Sequence, residues 1–153
     1  MAIHVWSVFC SKSSVDRNTN NISLFDVTEQ LNLSYEGDLV AGPVMVPGEF
    51  DLVSLWLRSN VEKPESPVLR ASVIGPNGKT LVGPEHKIDL ATAPRSRSIL
   101  KMNAVPINGN GYHFFLVELR NEGTKVWQEV ARIPLDVRLT RVESATTGVA
   151  PKE

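Results

Sequence analysis

The sequence predicts an all-β protein, an antiparallel β-sandwich of eight to nine strands, and three observations predict it. β-Branched residues abound, with 19 Val, 7 Ile and 8 Thr against 9 Ala, and such side chains suit a pleated surface better than a helix. Short apolar runs alternate with clusters of Gly, Pro, Asn and Asp, the punctuation of turns. No window carries the 3.6-residue apolar period of a helix. A partly closed β-barrel satisfies the same pattern and is the alternative.

The first strand is expected over residues 3–10. It gives way to Asp16-Arg17-Asn18-Thr19-Asn20-Asn21, whose side chains mimic turn hydrogen bonds and tolerate left-handed backbone. A strand over residues 22–33 follows. Residues 36–48 hold three Gly and two Pro, so this connection is expected to cross between sheets or to form a binding loop. Strands are then expected over 50–58 and 69–74. Gly75-Pro76-Asn77-Gly78-Lys79 makes a hairpin turn, with Pro at its second position and Gly supplying positive φ. Residues 86–90 alternate, 99–107 form a further run, and Asn108-Gly109-Asn110-Gly111 turns the chain into the clearest strand, 112–119. Residues 126–133 and, past Pro134, the alternation of Leu135, Val137 and Leu139 complete the set.

A chain of 153 residues fits one domain with an adequate core, expected over 1–143 with a disordered tail over 144–153. Ordinary hydrophobic and charged fractions, 42% and 22%, exclude disordered and membrane-spanning classes. A formal charge of −1 generates no field that would gather nucleic acid or anionic lipid; neither nucleic acid nor membrane is an expected partner. The single cysteine, Cys10, forms no intrachain disulfide and favours a cytoplasmic setting.

Two runs depart from simple alternation. Phe50, Leu52 and Trp56 share one parity and Val53, Leu55 and Leu57 the other, and Tyr112, Phe114 and Leu116 oppose Phe115, Val117 and Leu119. A sandwich buries one face of each sheet, so strands apolar on both faces require a second cover. The 36–48 connection or another copy of the chain is expected to provide it, with Trp56, Tyr112 and Phe114 as candidate interface residues.

Motifs with chemistry fail on their spacing. Gly78-Lys79-Thr80 ends like a phosphate-binding loop, but Val73 stands where that loop needs glycine and a strand follows. Asp16, Asn18 and Asn20 open like a calcium loop that lacks its Gly and closing Glu. His4 and Cys10 lie about 20 Å apart along one strand, and His4, His86 and His113 show no ligand spacing. No catalytic residue, cofactor or metal is therefore expected. An enzyme would need Cys10, or Asp26 with Glu29, beside a histidine. Arg95, Arg97 and Lys101 are the candidate anion-binding residues. Trp6, Trp56 and Trp127 are each expected within strands, as core residues.

Residues 15–27, running from Val15-Asp16-Arg17 to Phe25-Asp26-Val27, with Phe50-Asp51-Leu52-Val53-Ser54-Leu55-Trp56, Pro76-Asn77-Gly78-Lys79, Gly111-Tyr112-His113-Phe114-Phe115 and Ile133-Pro134-Leu135, resemble a family of small uncharacterised bacterial proteins, a domain of unknown function. The resemblance spans residues 3 to 140. It implies an immunoglobulin-like sandwich in a bacterial cytosol and brings no activity and no functional residue. The expected function is thus a non-enzymatic interaction or assembly module, a homo-oligomer or partner-binding protein that self-associates through a sheet face. The alternative is a binding module for a carbohydrate or small anion.

Overall fold

The computed structural model describes residues 1–39 and 41–143. Its nine strands are β1 (Ile3–Val15), β2 (Ile22–Val27), β3 (Gln30–Tyr35), β4 (Val44–Leu57), β5 (Val68–Ile74), β6 (Thr80–Lys87), β7 (Arg95–Ile107), β8 (Gly111–Arg120) and β9 (Gln128–Arg141). They form two sheets, ordered β2-β1-β4-β7 and β3-β9-β8-β5-β6, and there is no helix among the described residues. β4 and β7 on one side and β5, β8 and β9 on the other reproduce the B, E and C, F, G arrangement of immunoglobulin sandwiches. The expected tail, 144–153, lies outside the described residues.

The core fills the space between the inner faces. Phe9, Leu52 and Trp56 meet Leu69, Phe115, Val117, Leu119, Leu135 and Val137, and the Phe9 and Phe115 ring centroids are 4.4 Å apart.

Three departures from the expected strands have physical causes. The run 22–33 is two strands in different sheets. Asp26 adopts φ 53°, a left-handed conformation its short polar side chain tolerates, and the chain crosses over at residues 28–29. Second, β3 then pairs with β9 in parallel, Gln30 opposite Asp136 and Tyr35 opposite Arg141, so the sandwich is not wholly antiparallel. Third, residues 128–141 make one strand through Pro134. The pairing with β3 begins only at Asp136, so Pro134 sits where β9 has a single neighbour and its missing N–H costs no ladder bond.

The second cover is the chain's own β1–β2 hairpin. β1 pairs with β4 only as far as Cys10 opposite Asp51, and residues 12–15 pair with β2 alone. From there the ribbon folds onto the outer face of the four-stranded sheet. The Ser13 main-chain N–H and hydroxyl donate to Asp51 Oδ2 at 3.0 and 2.6 Å. Arg97 Nη2 donates to the Asn20 carbonyl at 3.0 Å, and Val15 and Asn20 border Leu55, Arg97 and Ile99. Ile22 and Leu24 are half-buried while Ser23 and Phe25 face out, as a ribbon lying on a sheet requires. Val53 and Cys10, both on this outer face, are 0% exposed.

Candidate functional site

Where β1 leaves β4, the side of the sandwich opens. Among the described residues, 44–47 of β4 pair with β7 but with no strand on their other edge, and β3, across the gap, pairs with β9 alone. Between them lies a cleft of about 520 Å³, walled by Leu33 and Tyr35 of β3, Leu139 of β9, Val44 and Val46 of β4 and Ile107 of β7. Of the connection between β3 and β4, Leu39, 52% exposed, Ala41 and Gly42 lie at its rim. Gly42, at φ 101°, gives this connection a backbone that other residues rarely adopt. None of the lining residues is charged, and the volume lies within the range of small-ligand sites.

One end of the cleft is closed by a hydrogen-bonded corner. Asn108 Nδ2 donates to Asn77 Oδ1 at 2.7 Å, and the Asn110 side chain accepts from the Leu139 main-chain N–H at 2.8 Å. A Cβ on Gly75 would meet Asn108 Oδ1 at 1.7 Å, so a side chain here would displace the Asn108 amide from its bond to Asn77. Buried His113 holds the corner from below. Its Nε2 accepts from the Asn108 main-chain N–H at 3.0 Å and its Nδ1 faces the Gly111 carbonyl at 3.1 Å, so the imidazole is neutral with its proton on Nδ1.

Burial pushes the His113 imidazole below its ordinary value of 6.5, against a smaller opposing pull from the Gly111 carbonyl. The unfolded chain therefore takes up this proton first. Its contribution to stability is complete above the ordinary value and is lost as pH falls from there through the lower folded one. Urea midpoints taken between about pH 7.5 and about pH 5 are expected to fall more steeply for the wild type than for His113→Asn, whose amide does not titrate. Equal slopes would assign the acid sensitivity to other groups.

The other candidates are dispersed. Arg95, Arg97 and Lys101 lie on the outer face of β7, not in a loop, and six residues of strand hold Arg95 and Lys101 about 20 Å apart. Lys101 pairs with Asp51 at 3.6 Å and Arg97 is committed to Asn20, so the three do not converge as one anion site. Trp56 is 0% exposed, with Nε1 donating to Ser98 Oγ at 2.8 Å; it belongs to the core and not to an interface. Tyr112, 58% exposed, and Phe114 do lie outward on β8, their rings stacked at 6.3 Å. Trp127 is not a core residue: it precedes β9, with the guanidinium carbons of Arg70 and Arg120 at 4.2 and 4.7 Å from its ring centroid. Arg70 is tied to Glu118 at 2.7 Å and Arg120 to Glu85 at 2.8 Å, so this network clothes the outer face of the five-stranded sheet.

One constellation escaped the sequence reading. Ser7 Oγ lies 2.7 Å from His4 Nε2 and 2.6 Å from Ser54 Oγ, and His4 stands edge-on to Trp56 at 5.2 Å. A bulge between His4 and Trp6 brings residues three apart onto one face, which strict alternation forbids. Ser7 and Ser54 satisfy one another inside the sandwich, as half-buried hydroxyls must. Cys10 is buried, its Sγ 3.4 Å from the Lys12 carbonyl. Asp26 and Glu29 are exposed. Among the described residues no three His, Cys, Asp or Glu gather closely enough to hold a metal ion, and no helix is long and apolar enough to cross a membrane.

No family model matches the chain, and no curated protein matches it. Among solved structures, the N-terminal domain of PorA is similar at 8% identity and a TM-score of 0.24, covering 88% of this chain and 97% of that one, a likeness too low to carry an argument about function.

Proposed function

We propose that the protein is a non-enzymatic interaction module that takes an apolar group of its partner into the cleft between β3 and β4. The observation that carries this reading is the uncharged cavity of about 520 Å³ left open where β1 departs from β4. The cleft is favoured over a sheet face because both outer faces carry cover of their own, the β1–β2 hairpin on one and the Arg70–Glu118–Trp127 network on the other. Unpaired Cys10 supports a reducing, cytoplasmic compartment, and membership of the uncharacterised bacterial family belongs to the same proposal. Self-association is the second reading, favoured by the exposed Tyr112 and its stacked neighbour Phe114.

The neutral fluorophore N-phenyl-1-naphthylamine tests the first reading. Wild-type protein is expected to bind it in the folded state, and Leu39→Asp, which puts a charge on the rim, to weaken binding roughly tenfold or more. Absence of binding by the wild type would overturn the proposal. Light scattering over a concentration series decides the second: a strict monomer removes it.

A further inference from the structure

We infer that the partner's group arrives as an extended peptide segment that adds a strand to the free edge of β3 and carries basic residues beside an apolar run. This deepens the proposed function and rests on it. β3, Gln-Leu-Asn-Leu-Ser-Tyr over Gln30–Tyr35, has one neighbour among the described residues, β9, and so presents a row of main-chain N–H and C=O groups on its other side. Exposed edges are ordinarily blunted by Lys, Pro, bulges or inward charges, and β3 has none of these. The facing edge of β4 differs: Pro47 lacks an N–H and the pairing with β7 is interrupted between Pro47 and Phe50. Of the two edges on the cleft, β3 is the one that can continue a ladder, and β4 supplies an apolar wall.

Strand alternation then specifies the guest. A six-residue edge spans about 20 Å, and side chains at every second position of an added strand point between the sheets, towards Leu33, Tyr35, Val46 and Leu139, all cleft-lining and neutral. A charge there would be buried without a partner. Main-chain pairing supplies affinity and the alternate side chains supply selectivity, as in other strand-addition complexes. The residues next to the cleft lining set the flanks. Exposed Glu36 follows Tyr35, Asp38 precedes Leu39, Glu49 lies two residues past Pro47, and Glu143 follows Val142, whose N–H donates to the Tyr35 carbonyl. Against these stand Lys79, two residues past Asn77, and Arg141, already 3.7 Å from Asp38, while Arg138 is paired with Asp136. The surplus is acidic, so the complementary segment is basic outside its apolar run.

The test uses the full chain and three synthetic peptides: Lys-Lys-Val-Thr-Val-Thr-Val-Lys, the same peptide N-methylated at alternate residues, and one with Glu in place of each Lys. The first is expected to bind and to slow hydrogen exchange within residues 30–35. N-methylation is expected to weaken binding roughly tenfold to a hundredfold, each main-chain hydrogen bond being worth several-fold in affinity. The Glu-flanked peptide is expected to bind more weakly, by a margin that narrows with salt. Equal binding by the parent and N-methylated peptides would overturn strand addition while leaving the apolar cleft intact. Equal binding by the Glu-flanked peptide would overturn the basic flank. No peptide binding, with the naphthylamine still bound, would overturn the inference alone; loss of both would overturn the proposed function as well. Concentration-dependent protection of β3 in the absence of peptide would assign the edge to a second copy of the chain and overturn the inference.

Discussion

Trp56→Ala is expected to cost about 3–5 kcal/mol of folding stability, the range for large aromatic deletions in a core. The residue sits in β4, central in its sheet between β1 and β7, and no part of it reaches solvent. Truncation removes its contacts, leaves a cavity between the sheets, and orphans the Ser98 hydroxyl that accepts from Nε1 at 2.8 Å. For a domain of this size each kcal/mol shifts the melting temperature by roughly 2–4 °C, so a fall of about 10 °C or more is expected. Trp56→Phe keeps most of the buried area and gives up the hydrogen bond, for an expected loss of about 1–2 kcal/mol. Urea denaturation of both variants checks the pair. Two small and equal losses would mean that the pocket around residue 56 collapses freely and that the indole is not a central support.

Asp51→Ala is expected to cost about 2–4 kcal/mol and, more tellingly, to uncover Cys10. Asp51 is 5% exposed and accepts two hydrogen bonds from Ser13, each of the charge-assisted kind worth about 1.5–3 kcal/mol. Its ion pair with Lys101 adds little, because that lysine is largely exposed. These bonds latch the hairpin to the sheet, and the Cys10 thiol lies beneath it. Burial first, and the nearby Asp51 charge second, push that thiol above its ordinary value, so the native protein holds little thiolate. Ellman's reagent is expected to be nearly inert towards the wild type and to react at least about tenfold faster with the folded variant, since both access and thiolate fraction rise. A pH profile separates the two: lost protection raises the rate at every pH, whereas a lowered thiol value moves the profile. A variant as inert as the wild type would mean that the hairpin is held by its apolar face, Ile22 and Leu24, without the latch.

Much of the fold was legible along the chain. Turns announced themselves through residues that need unusual backbone, as at Asn108-Gly109-Asn110-Gly111, where both glycines have positive φ. Strand β8 was legible because a nearly unbroken run of aromatic and aliphatic residues, Tyr112 to Leu119, follows directly on a turn signal. A connection over 36–48, crossing between sheets or forming a binding loop, was legible in its Gly and Pro content, but its end was not: residues 44–48 belong to β4. The split at Asp26 was not, because the residues on either side continue a strand pattern and one left-handed residue leaves little trace in composition.

The candidate site was legible only in part. The 36–48 segment was marked as a binding connection, but the cleft behind it exists because β1 abandons β4 at Cys10, and nothing in residues 11–15 says which strand they pair with. Trp56 was read both as a core residue and as an interface candidate, because apolar residues on both parities of β4 disclose two buried faces without saying which is the core; its complete burial bears out the first reading. Arg95, Arg97 and Lys101 looked like a patch because they are close in sequence, whereas a strand spreads them over about 20 Å.

By itself, then, the sequence determined the all-β class, the turns, the need for a second cover on β4 and the absence of any spaced catalytic motif. These are local properties, set by side-chain shape, period and backbone tolerance. Only the tertiary structure decided that the cover is the protein's own hairpin, that β3 joins the sheet in parallel with a bare edge, and that an apolar cleft opens beside it. Those depend on pairings between residues distant in the chain, and side-chain period, being the same for every partner a strand takes, does not encode the choice.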